Sequence, residues 1–295
     1  MNIIFGFFIV VSSVIGGYML SHGYLLALWQ PYELLIILGA ATGGLVIANP
    51  PHILGRVRKG LPQLLRKSRY DKALYLQLLS VIYELFMRSR KNGMLSLETH
   101  VEEPDESFIF QQYPRLMRQH SEAITFLVDY LRLIVGGNMN SYELDNLMDI
   151  ELATHEHEAS QPSGALSAMA DGLPGFGIVA AVMGIVITMG SLGGPVEETG
   201  QHLAAALVGT FLGILLSYGF VGPLARALQY IAEDEAMMLN CIKTTLVASL
   251  NGYAPVVAVE FGRKAIPARL RPGFYELEDH IHEIGLHDGA VASQE

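Results

Sequence analysis

The sequence predicts an all-α integral membrane protein, with four transmembrane helices in two hairpins and a helical cytoplasmic domain between them. Four stretches carry no Asp, Glu, Lys, Arg or His: Ile3–Leu20, Leu34–Ala48, Leu173–Leu192 and Leu203–Leu224. Each is about 15 to 22 residues long, close to the ~20 helical residues that cross ~30 Å of hydrocarbon. They fall in two close pairs on either side of a long charged segment, Arg56–Asp171, and no strand pattern of any length appears. Composition agrees, with 51% hydrophobic and only 16% charged residues. The expected organisation is a transmembrane hairpin over 1–50, a cytoplasmic helical domain over 51–172, a second hairpin over 173–230, and a cytoplasmic C-terminal helix and tail over 231–295.

The first span follows Met1-Asn2-Ile3-Ile4-Phe5, which lacks the basic region and small-residue cleavage site of a secretory signal, so the span is expected to be retained. The loop Ser21–Pro31 behind it has no Lys or Arg, and neither has Gly193–Gln201 between the later spans. Arg56, Arg58, Lys59, Arg66, Lys67, Arg69 and Lys72 come directly after the second span, and Arg226, Arg263, Lys264, Arg269 and Arg271 follow the fourth. Basic flanks mark the cytoplasmic side. Both termini and the central segment are then cytoplasmic and both hairpin tips face outward, with Trp29, Tyr24 and Tyr32 suited to the outer interface. A core helix of a soluble domain is the competing reading of the short second span, and the basic run behind it argues for the membrane.

Small residues recur four apart: Ser12/Gly16 and Ser13/Gly17 in span one, Gly39/Gly43 in span two, Ala180/Gly184 in span three, Gly209/Gly213/Ser217 in span four. Such spacing lets helix backbones approach closely in lipid, and its presence in every span suggests more partners than one chain contains. Thr188, Thr210, Ser217 and Tyr218 are expected to face protein or a wet cavity. Pro174 is read at the cytoplasmic start of span three, where a first-turn proline is routine. Pro223, at the cytoplasmic end of span four, is followed by residues that still read as helix, so a kink is expected there. No ionisable group is expected inside any span. An ion-moving group would therefore have to come from another chain.

The segment between the hairpins reads as helices. Tyr70–Lys91 places Leu74, Leu78, Val81, Ile82 and Leu85 at helical spacing and stops at Asn92-Gly93. Ser121–Val135 is a second helix, ended by Gly136-Gly137. Asn140 with Glu143 forms a capping box for a third, expected to break at Gln161-Pro162-Ser163-Gly164.

Chemistry-bearing motifs are weak. His155 and His157 stand two apart on a helix, as do His280 and His282, so each pair points to different faces and reads as solvated histidines. The single cysteine, Cys241, excludes an internal disulfide and cannot build a zinc site alone. No phosphate-binding glycine loop and no nucleophile–base arrangement occurs. No enzymatic activity, cofactor or metal is expected, and a net charge of −10 argues against a nucleic-acid partner.

Long runs carry a resemblance. They are Gly16-Gly17-Tyr18, Gln30-Pro31-Tyr32-Glu33-Leu34, Asp129-Tyr130-Leu131-Arg132-Leu133-Ile134, Leu173–Gly184, Val208–Leu216, Leu250–Pro255 and Glu260–Lys264. On these the sequence resembles the MotA family, the larger membrane subunit of the bacterial flagellar stator, within the MotA/TolQ/ExbB proton channel group. The resemblance implies five copies around two copies of MotB, whose single helix brings the ion-binding aspartate, in the bacterial inner membrane. It places Pro174 and Pro223 on the family's two conformational-coupling prolines, and Arg90 and Glu98 on the charged residues that meet the rotor protein FliG, with Glu151 and Arg88 next in line. From the residues alone, Arg90 and Glu98 flank the Gly93 turn, and solvated surface charges are the plain alternative.

Sodium-type relatives carry a hydroxyl where this chain has Ala181, while Thr210 matches a hydroxyl kept in both classes, so protons are the expected ion. The alternatives are a sodium-driven, PomA-like stator and an ExbB- or TolQ-like energising subunit, which has three spans and an external N-terminus. A free-standing channel or transporter and a pure membrane scaffold complete the set.

Overall fold

A computed structural model describes residues 2–65, 69–137, 139–190 and 196–281. Arg66 and Lys67 of the basic run, Gly193–Pro195 of the second outer loop and His282 lie outside the described residues. Among the described residues the structure is helical, with no strand. The chain divides into two compact units, Met1–Lys67 with Glu158–Ala232, and Ser68–His157 with Glu233–Glu295. The divisions fall inside two helices, α10 (Ser141–Gly190) and α12 (Gly222–Leu250).

The first unit holds the apolar helices. Helix α1 spans Asn2–Leu20, a single turn α2 (Leu25–Leu28) follows, and α3 covers Pro31–Ala48 with Pro31 at its first turn. Together with the apolar parts of α10 and of α11 (Val196–Leu216), four helices are long and apolar enough to cross a membrane. None of the α1 window is buried within the chain, and Phe5, Phe8 and Leu20 are all more than 60% exposed. Such surface needs lipid or another protein around it. Helix α3 turns Ile37 and Ala41 inward against Leu173 and Ala180. Helix α4 (Pro51–Gln63) carries Arg56, Arg58 and Lys59 and buries Ile53 and Val57 against Ala165.

The expected break at Gln161–Gly164 does not occur: α10 runs unbroken for 50 residues with Pro162 and Pro174 inside it. Proline lacks the N–H that would bond the carbonyl four residues back. For Pro162 that carbonyl belongs to Glu158. The Arg56 guanidinium of α4 takes it at 3.1 Å through Nη1 and pairs with the Glu158 carboxylate at 3.2 Å through Nη2. Pro174 is likewise an interior residue rather than a first-turn one. Ahead of Pro223, where a kink is expected, Ser217–Val221 form a π turn, with Gly222 N–H donating to Ser217 O. One extra residue in the turn shifts the bonding register just before the proline.

In the second unit the core expected from α5 (Lys72–Asn92) is present, with Leu74, Leu78, Val81, Ile82 and Leu85 fully buried. They meet Leu127 and Leu131 of α9 (Ser121–Val135), Ile242 and Leu246 of α12, and Val259 of α13 (Pro255–Ala265). Asp71 caps α5 by accepting from Leu74 N–H at 2.9 Å, and Arg115 grips Asp71 with both terminal nitrogens. The capping box stands as read, with Glu143 N–H donating to Asn140 Oδ1 and Asn140 N–H to Glu143 Oε2, both at 3.0 Å. Gly262 leaves no room for a side chain, since a Cβ there would lie 1.9 Å from Thr245 Oγ1. His120, buried and edge-on to Tyr70, is pushed down to about 4 by burial first and then by Arg115 and Arg69.

Candidate functional site

Ala181 and Thr210 meet where α10 crosses α11. The crossing is close because glycines line it. A Cβ on Gly213 would stand 2.7 Å from Leu173 O and 2.9 Å from Gly177 Cα, and one on Gly177 would stand 2.9 Å from Gly209 O. Thr210 Cα lies 3.4 Å from that Gly177 position, and Ala181 N lies 3.4 Å from the corresponding point on Gly209. Nearer the outer end, Gly184 meets Ala206 in the same way. The small residues of spans three and four are therefore used within this chain. Those of spans one and two are not: a Cβ on Gly16, Gly17, Gly39 or Gly43 would meet nothing within 4 Å.

Leu173, whose carbonyl abuts Gly213, joins Pro174 to this crossing. Pro223 stands apart from it, exposed, behind the π turn. Of the polar groups in these helices, Thr188 is buried and bonds its own helix through Gly184 O at 2.8 Å, and Ser217 is buried. Tyr218, on the π turn, is 73% exposed within this chain. Thr210 and Ala181 are half-buried. Thr210 brings a hydroxyl to the crossing.

Arg90 and Glu98 are both exposed, on either side of a turn that needs glycine, because Gly93 has φ 86°. Arg90 ends α5, and Glu98 opens the short helix α6 (Glu98–Glu102). The turn is fixed from beneath. Arg88 reaches His100 Nε2 at 2.7 Å and lies over the Phe108 ring, and His100 Nδ1 meets Ser107 Oγ at 2.9 Å. Burial, followed by the Arg88 cation, holds His100 below the usual histidine range. Arg88 is thus engaged in holding the turn. Glu151 is exposed and accepts from Tyr130 O–H at 2.7 Å.

The model for the motility protein A N-terminal domain matches residues 4–93, and that for the MotA/TolQ/ExbB proton channel family matches 116–240. Motility protein A of Escherichia coli is 48% identical over 96% of both chains. Chemotaxis protein LafT of Vibrio parahaemolyticus is 38% identical over 94% of this chain and 97% of its own. The chain belongs to the MotA family. Two solved structures share the fold. They are the MotAB complex of C. jejuni, with TM-score 0.73 and 19% identity over 90% of this chain and 96% of that one, and the Bacillus subtilis flagellar MotAB stator complex, with TM-score 0.68 and 21% identity over 90% and 95%.

Two features of this MotA family member escaped the sequence reading. Helix α3 begins at Pro31, so Glu33 lies in its first turn and inside an apolar segment, Leu25–Ala48, long enough to span. An ionisable group therefore does stand within a span, contrary to the expectation from the charge-free stretches. Its Cγ lies 3.5 Å from the Cβ position of Gly209, beside Ala180 and Ala181. The signal was available, because Glu33, Ile37 and Ala41 share one helix face. The second feature is His155, which is not a solvated histidine. Its Nε2 lies 3.6 Å from Glu122 Oε2 and 3.9 Å from Glu235 Oε1, which joins α9, α10 and α12. These three groups bring their ligand atoms within 4.8 Å of one another, so a divalent ion could be held there, although an ion triad fits the same geometry.

Proposed function

We propose that this chain is the larger subunit of a proton-driven flagellar stator, set in the bacterial inner membrane with both termini and the 51–172 segment in the cytoplasm. With MotB it forms the ion-conducting complex, five copies around a MotB dimer, and it passes torque to the rotor protein FliG. The carrying observation is the α10–α11 crossing: glycine-lined, closed by backbone contacts at Gly177, Gly209 and Gly213, and half-exposed at Ala181 and Thr210. Such a wall packs tightly on itself while offering apolar and hydroxyl surface to a neighbouring helix. The unfilled glycine faces of α1 and α3 supply surface for other helices. Pro174, inside the crossing, and Pro223, behind the π turn, couple ion passage to helix movement, and Arg90 and Glu98 present charge to the rotor. The work is transport and force transmission rather than covalent chemistry.

Expression in cells that lack their own stator tests this. With MotB the chain restores swimming, and with an unplugged MotB it acidifies the cytosol. Alone it does neither. Proton flux through this chain alone would overturn the reading.

A further inference from the structure

We propose that Glu33 is a second proton-binding site on the path, held by this chain itself and serving the outer side of the α10–α11 crossing. The inference rests on the stator reading above. In the first turn of a helix an acid ordinarily faces the free N–H groups and the positive end of the dipole. Glu33 does not take up those donors with Oε2. That oxygen is buried and accepts no hydrogen bond from the described residues, while the residue's Cγ lies against Gly209. One carboxyl oxygen is thus enclosed by the chain, on a side chain that packs beside Gly209 of the crossing.

A buried carboxyl oxygen without a donor is costly in apolar surroundings, and ionisable groups at membrane depth are kept where ions pass. A metal cation needs six or more oxygens. Among the described residues no donor meets Glu33 Oε2, and a single carboxyl falls far short of that count, so the ligand that fits is a proton, which needs only the one oxygen. The step is a simple transfer. A proton from the outer aqueous side forms an O–H bond on Glu33, and that bond breaks as the partner subunit's carboxylate takes the proton. The glutamate returns to its starting state with no redox change. Glu33 lies one turn into α3, and Pro31 fixes where that turn begins, so the group is set at a defined depth.

The test compares Glu33→Gln, Glu33→Ala and Glu33→Asp in the full complex with MotB, with flux into the cytosol expressed per copurified partner. A proton site predicts that Gln is as poor as Ala, both about tenfold or more below wild type, while Asp keeps most of the flux. A packing or capping role predicts the reverse ranking, because Gln fills the same space and accepts the same bonds. Gln at wild-type flux overturns the proposal, as does a graded loss in which Ala is far worse than Gln. In the unmutated complex, the apolar carbodiimide DCCD should modify Glu33, mapped by mass spectrometry, with flux falling as labelling rises. Labelling of the partner's carboxylate with none at Glu33 also overturns it. Absence of flux in the wild-type complex would instead sink the stator reading.

Discussion

At Gly213 a single methyl group would meet backbone on two sides, Leu173 O at 2.7 Å and Gly177 Cα at 2.9 Å. Backbone cannot swing aside as a side chain can. Gly213→Ala should therefore cost about 1–3 kcal/mol, as other overpacked contacts do, seen as a lower melting temperature of the detergent-solubilised chain. Gly16→Ala meets nothing within 4 Å in this chain and should leave that temperature unchanged while weakening copurification with MotB or other copies. Equal effects at both positions would refute the division between internal and external glycine faces. A second residue-scale outcome concerns acid. His120 titrates near 6.5 when unfolded and at about 4 when folded, so the folded state binds fewer protons. Its stabilising contribution is complete above pH 6.5 and is lost as pH falls towards about 4, amounting to a few kcal/mol at most. His120→Phe should flatten the fall in melting temperature between neutral pH and pH 4, and an unchanged fall would show that the ring is hydrated. Spacing in the sequence found the glycines. It could not say which faces were filled, because that depends on which helix turns towards which.

Among the elements, α10 shows where local rules mislead. Pro162 with Gly164 reads as a break, yet the helix continues, and Arg56, 102 residues before its partner, takes the carbonyl that Pro162 frees. No local signal carries a bond of that range. Arg56→Ala should leave Glu158 O without its partner and weaken α10 there by about 1–2 kcal/mol, visible as faster amide exchange over 158–163. Unchanged exchange would mean that water substitutes for the guanidinium. Other elements were legible in full. The ends of α9 and the capping box of α10 follow from glycine and Asn–Glu spacing, whereas the π turn ahead of Pro223 carried no signal of its own. The Gly93 turn belongs with the legible elements. Its exposed Arg90 and Glu98 ride on the Arg88–His100–Ser107 chain, in which His100 and Ser107 are buried. Charge reversal at Arg90 or Glu98 should reduce swimming with membrane assembly intact, and a compensating reversal on FliG should restore part of it. His100→Ala should lower swimming too, through a loosened turn. Normal swimming in both reversal variants would place the rotor contact elsewhere.

For the whole molecule, apolar surface left outside and oxygen left out of the crossing decide the ion. No residue of the α1 span is fully buried within the chain, which leaves apolar surface for lipid or neighbouring subunits. The sequence reading held this part well, since charge-free length and basic flanks are properties of the chain. It missed Glu33, because a stretch bounded by its nearest charge cannot also contain it. On the route proposed above, this chain contributes the Thr210 hydroxyl, the backbone and methyl of Ala181 and the Glu33 carboxyl. That is too few oxygens, from too many apolar neighbours, for a hard cation that seeks six or more. A proton can pass from one carboxyl to the next with no cage. Swimming should therefore be indifferent to removal of external sodium and should stop when a protonophore collapses the proton gradient. Ala181→Thr alone should not create sodium dependence, because one added hydroxyl leaves the oxygen count far short and the partner chain forms the rest of the site. Speed that tracks external sodium at constant proton-motive force would reverse the ion assignment and, with it, the role given to Glu33, leaving the stator reading in place.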